Sequence, residues 1–142
     1  MYRTILLVDD DADDQLLFHE AIHGIDSSIR LETADNGRHA LNKLRAALLP
    51  PDLIFVDLNM PLVNGFEFIT ALKKDEGLAH IPVVAFTTST NPIDATRARK
   101  LGADAFLTKA SNYPELCKKL RRVVNTDFTD STKALSENDY AF

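Results

Sequence analysis

A single cysteine, Cys117, stands in the 142 residues. No internal disulfide is therefore open to the chain, and nothing in it requires an oxidising compartment. Long hydrophobic runs are missing too. The longest near the start, Ile5–Val8, is far too short for a signal-peptide core or a membrane span. There is no surplus of positive charge: the net value is −5, which favours solubility and gives no general reason to expect nucleic acid or an anionic membrane as partner. No DNA-reading motif is recognisable, and no internal repeat argues for a solenoid. The expectation is a soluble, cytoplasmic chain. What is present agrees with that. An apolar fraction of 45% and a charged fraction of 26% are those of a globular protein, and the length suits one domain.

Two kinds of segment alternate. Short apolar runs lie at Ile5–Val8, Leu53–Val56, Pro82–Phe86 and Ala105–Leu107, with a weaker one at Ile29–Thr33. Non-alternating runs rich in Val, Ile, Leu and Phe suit strands buried on both faces. Between them are amphipathic stretches. In the last, Leu116, Cys117, Leu120, Val123 and Val124 share one stripe, opposite Lys118, Lys119, Arg121 and Arg122. Another carries Ala40, Leu41, Leu44 and Leu48, and a third runs from about Gly65 to Lys74. Gly24 is read as following one helix, Asn36-Gly37 as a turn, Pro50-Pro51 as a helix stop and Gly102 as following another helix. The pattern predicts five strands and five helices in strict alternation, hence an α/β fold, doubly wound, with a five-stranded parallel sheet and helices on both faces. It fades after about Asn125, which predicts a domain over 1–125. Residues 126–142 then form a C-terminal tail, either flexible or a helical extension, with a partner-docking segment as the sharper alternative.

In such sheets ligands bind outside the carboxyl ends of the strands. The first strand ends in Asp9-Asp10-Asp11, the third in Asp57, the fourth in Thr87-Thr88-Ser89 and the fifth in Thr108-Lys109. Parallel strands bring these ends to one edge. Carboxylates gathered there repel one another. A hard dication such as Mg²⁺ resolves the conflict, because it takes oxygen ligands and needs only one or two carboxylates. A carboxylate beside that metal can act as a nucleophile toward a phosphoryl group. The metal and Lys109 would offset charge on the phosphoryl oxygens, and the Thr87 hydroxyl could donate to one of them.

The run Ile5–Asp11, the segment Asp57-Leu-Asn-Met-Pro followed by Asn64-Gly65, the Thr after the fourth strand, and Gly102-Ala-Asp-Ala-Phe-Leu-Thr-Lys109 resemble the response-regulator receiver family, over about residues 3–125. The resemblance implies a flavodoxin-like fold with strand order 2-1-3-4-5. It implies Asp57 as phosphoacceptor, with Mg²⁺ bound directly by Asp10, through water by Asp9, and by Asp57 and the main-chain carbonyl of Asn59. Thr87 and Lys109 would contact the phosphoryl group, and Phe106 holds the place of the switch aromatic that turns inward as the threonine moves. A plain core aromatic is the competing reading of Phe106. Asn59 and Ser89, both uncharged, sit where the family tunes hydrolysis, which suggests a moderate phosphate lifetime.

Two residues depart from the family pattern. Ala110 stands where proline usually follows the lysine, in a bond that is typically cis; a non-proline cis bond costs ~2.5–4 kcal/mol. Thr88 is bulkier than the usual Ala. Half of the 16 lysines and arginines lie between Arg97 and Arg122. This is either a solvated face or, as the resemblance implies for this region, an output surface for an acidic partner. The four histidines, His19, His23, His39 and His80, share no metal spacing and are read as surface residues. The phosphodonor histidine belongs on a separate histidine kinase or phosphotransfer protein. The function expected is a single-domain switch, monomeric or weakly dimeric, and not a conventional enzyme. Against it stand a phospho-independent interaction module and, ranked last, a Mg²⁺-dependent phosphohydrolase. The latter needs a second acid where Asn59 stands.

Overall fold

The computed structural model describes residues 2–60, 63–109, 112–128 and 140–142. Ala110 and Pro61, on which two sequence expectations rest, lie outside them. The chain alternates β1 (Thr4–Val8), α1 (Ala12–Ile25), β2 (Arg30–Ala34), α2 (Gly37–Ala46), β3 (Leu53–Val56), α3 (Gly65–Lys74), β4 (Val83–Thr87), α4 (Pro92–Leu101), β5 (Ala105–Thr108) and α5 (Tyr113–Val124). All strand pairs are parallel and the order is β2-β1-β3-β4-β5, as expected for a doubly wound α/β sheet.

The strands explain why the apolar runs did not alternate. Successive side chains point to opposite faces, and both faces are covered. Ile5, Leu7, Leu53, Phe55, Val84, Phe86, Ala105 and Leu107 join one core with α1 and α5. Leu6, Val8, Ile54, Val56, Val83, Ala85 and Phe106 join the other, under α2, α3 and α4. In the first core Phe18 of α1 meets Phe55 edge-on, with ring centroids 4.9 Å apart, and lies 5.6 Å from Phe86.

Side-chain caps set the helix starts. Asp11 accepts from the N–H groups of Asp13 and Asp14, Asn36 from His39, Asn91 from Ile93 and Asn112 from Glu115. Asn64 and Glu67 form a reciprocal capping box at α3. Gly102 closes α4 at φ +114°, a left-handed conformation that glycine adopts without penalty. Three local expectations are corrected. Gly24 lies inside α1 and does not follow it. Asn36-Gly37 is the N-cap and first residue of α2, because the Asn side chain satisfies a free helical N–H. Leu48 is not on the α2 stripe: the helix ends at Ala46, and Leu48 is 98% exposed.

Candidate phosphoacceptor and metal site

Each strand delivers its terminal residue to the same edge. Asp57 N–H donates to the Val8 carbonyl (2.8 Å) and Asp9 N–H to the Ala34 carbonyl (3.0 Å), continuing the sheet ladder past the ends of β3 and β1. Lys109 N–H likewise donates to the Thr87 carbonyl at 2.7 Å. The side chains then turn inward. Asp9 and Thr87 are fully buried and Asp57 is nearly so, while Asp10 and Asn59 are exposed.

One lysine organises the carboxylates. Lys109 Nζ lies 2.9 Å from Asp9 Oδ2, 3.2 Å from Asp57 Oδ2 and 2.7 Å from Asp14 Oδ2. Burial works to lower the Lys109 pKa, but the carboxylates of Asp14 and Asp9 outweigh it and hold the ammonium charged well above its ordinary range. Asp9 is pushed up to about 6. Burial is the main cause and the neighbouring Asp57 charge adds to it, against the Asp11 N–H and Lys109, which pull the other way. Asp57 Oδ1 accepts from the Asn59 N–H at 3.1 Å, so its second oxygen is steered by the loop that follows it.

Asp9, Asp10 and Asp57 each offer a carboxylate oxygen, all within 4.8 Å of one another. Three hard oxygen donors, two of them buried and one open to water, fit an oxygen-seeking dication that keeps part of its hydration shell.

Of the residues singled out from sequence, Asp9, Asp10, Asp57, Asn59 and Lys109 come together here. The Thr87 hydroxyl accepts from the Ser89 N–H (3.2 Å), and Ser89 Oγ donates to Asp94 Oδ2 at 2.6 Å. Phe106 is buried in the α4-side core against Tyr140. Asp14 was not anticipated. As an acid in the first turn of α1 it reads as a response to the helix dipole, and only the packing of α1 against the β5 end shows it reaching Lys109. The loop after Asp57 is wedged: a Cβ on Gly65 would stand 2.4 Å from the Asp57 carbonyl oxygen and 2.6 Å from Leu58 Cα. Among the described residues no helix is long and apolar enough to cross a membrane.

Comparison with known proteins agrees with this geometry. The profile of the response regulator receiver domain family matches residues 5–121. The polar-differentiation response regulator DivK of Brucella anthropi is 31% identical over 121 residues, covering 85% of this chain and 95% of that protein. A probable cyclic di-GMP phosphodiesterase of Vibrio cholerae is 31% identical over 137 residues, but the chain spans only 30% of its length. Among solved structures, the phosphorylated cyanobacterial phytochrome response regulator RcpA superposes with a TM-score of 0.82 at 31% identity, covering 93% of this chain and 96% of that one. With nearly its whole sheet and all five strand ends inside the matched region, the chain belongs to the response regulator receiver family of two-component signalling.

Proposed function

We propose that the chain works as a phosphorylation-controlled response-regulator receiver. It accepts a phosphoryl group on Asp57 from a histidine kinase or phosphotransfer protein and answers by changing its protein-binding surface. The observation that carries this reading is the convergence of Asp57, Asp9 and Lys109 on one another at the carboxyl edge of the sheet. Asp57 is the nucleophile, its Oδ1 held by the Asn59 N–H. Lys109, already within hydrogen-bond reach of Asp57, neutralises charge on the incoming phosphoryl oxygens. Asp10, Asp9, Asp57 and the Asn59 carbonyl would hold Mg²⁺, which supplies further charge compensation when bound.

Thr87 and Lys109 then carry the signal. The Thr87 hydroxyl leaves the Ser89 N–H for a phosphoryl oxygen, and β4 and β5 respond together because Lys109 N–H is bonded to the Thr87 carbonyl. Phe106, between these strands and α4, is the aromatic whose position follows. The receiver body ends near residue 125, and the described residues beyond it pack back onto that body, Phe128 and Phe142 against one core and Tyr140 within the other. The basic stretch from Arg97 to Arg122 is the face offered to a downstream protein, with no direct role for nucleic acid or membrane; the setting is the cytoplasm.

The test is intact-protein mass after incubation with acetyl phosphate, with and without Mg²⁺, for wild type and Asp57→Asn. One added phosphoryl group that requires both Mg²⁺ and Asp57 is expected. No addition under conditions that label an ordinary receiver would overturn the reading in favour of a phospho-independent module.

A further inference from the structure

Helix α1 turns Phe18, Ala21 and Ile22 to the core, all three buried. Its solvent side carries His19 and His23, both exposed. The expectation that the histidines share no metal spacing is corrected for this pair. The two stand four residues apart, and one turn of helix sets such side chains one above the other. Their ring centroids are 4.1 Å apart, with the planes tilted by 56°. The other two histidines stand on different elements, His39 on α2 and His80 in the loop before β4.

We propose that His19 and His23 form a chelating site for a divalent late transition ion, with Zn²⁺ as its representative. The inference does not depend on the receiver reading. Imidazole nitrogen suits Zn²⁺, Ni²⁺ and Cu²⁺, whereas Mg²⁺ takes oxygen. The pair therefore differs in chemistry as well as in place from the carboxylates at the sheet edge. Its scaffold is already formed. The Asp26 N–H closes the last turn of α1 on the Ile22 carbonyl, and the buried residues anchor the helix to the core. Only side-chain torsions are left to be ordered on binding. His23 lies in the last turn of α1, where the helix dipole favours a cation. The run His19-Glu20-Ala21-Ile22-His23 has the His-Glu-x-x-His form of helical zinc centres. A hydrolytic centre of that kind takes a third protein ligand. Among the described residues the only group of three or more candidate ligands is Asp9, Asp10 and Asp57, so none joins the histidines. The chemistry that follows is reversible binding of the ion by two imidazoles, with water in its remaining positions, and not hydrolysis.

The test is a Zn²⁺ titration of the full chain followed by NMR of the histidine rings, with Mg²⁺ in excess to occupy the carboxylate edge. The ring signals of His19 and His23 are expected to shift together and to saturate at one Zn²⁺ per chain, while those of His39 and His80 stay in place. His19→Ala and His23→Ala should each weaken binding by about tenfold or more, because each removes the second ligand that the helix holds at high effective concentration. His80→Ala should leave binding as it is. Both chelating residues are exposed, so these variants keep the fold. Ring signals that do not move, or that move alike at all four histidines, overturn the site. A His19→Ala chain that binds as wild type does overturns the pairing. Saturation at one ion per two chains overturns the single-chain chelate and assigns the ion to a contact between copies.

Discussion

Lys109 Nζ sits closer to Asp14 (2.7 Å) than to Asp57 (3.2 Å). The ammonium that would neutralise a phosphoryl group on Asp57 is thus held from behind by a carboxylate on α1. Asp14 is about one-third exposed at its side chain, so its grip is partly screened and amounts to about 1 kcal/mol.

Asp14→Asn should release that grip. With one competitor gone, Lys109 turns more fully to the phosphoryl oxygens, and steady-state labelling of Asp57 from acetyl phosphate should rise about fivefold, the equivalent of ~1 kcal/mol. Labelling followed by mass is the measurement. A fall in labelling would mean that Asp14 orients the lysine and does not compete for it.

Asp9 gives the pH dependence. Its folded-state pKa of about 6 lies above the roughly 3.9 of an unfolded aspartate. The folded protein therefore binds the proton more tightly, and stability falls as pH rises through the window from about 4 to about 6. Without divalent cations, Asp9→Asn should be more stable than wild type at pH 7.5 by about 1–3 kcal/mol. The gain should vanish near pH 4. Urea unfolding across that range checks both the size and the sign.

Gly65→Ala should be severe for a position at the start of a helix. The added Cβ meets backbone, the Asp57 carbonyl oxygen and Leu58 Cα, which cannot swing aside as a side chain can. A loss of about 2–4 kcal/mol in urea unfolding is expected. Labelling of Asp57 should fall as well, because relief of the clash moves the acceptor's own peptide.

Phe18→Ala removes a fully buried ring that touches both Phe55 and Phe86. A loss of about 3–5 kcal/mol is expected. Phosphorylation of the folded fraction should survive, since Phe18 lies on the face of the sheet away from the Thr87–Phe106 side.

The sheet and the site differed in how much of each could be read from residues alone. Uninterrupted apolar runs such as Leu53–Val56 revealed strands buried on both faces, and the acids following them found the right edge because parallel strands all end there. Leu48 misled for a local reason. Its spacing continues the α2 stripe, but the backbone turns extended at Ala47 (ψ 131°) before the pattern is used. Asp14 was illegible because its meaning depends on what stands opposite α1 in space, a lysine far along the chain. Tyr140 and Phe142 stood out as aromatics ending a polar stretch, but with no periodicity there, only the rim of β5 gives them a place. Gly65 was visible as part of a motif, yet its necessity lies in a close approach that no spacing encodes.

An open parallel sheet has two rims, and each is a row of backbone groups that any passing strand can join. At the β2 rim, exposed Arg30 and its pairing with Glu32 put charge in the way. At the β5 rim the protection is the chain's own last described residues, which consume the Phe106 carbonyl and the Thr108 N–H. A version trimmed before Tyr140, of the kind often made to tidy a terminus, would lay that rim open beside an uncovered Phe106. Dimers or fibrils formed by such a trimmed chain would then report the cut, and an interface mapped on them would describe a surface that the intact protein keeps closed.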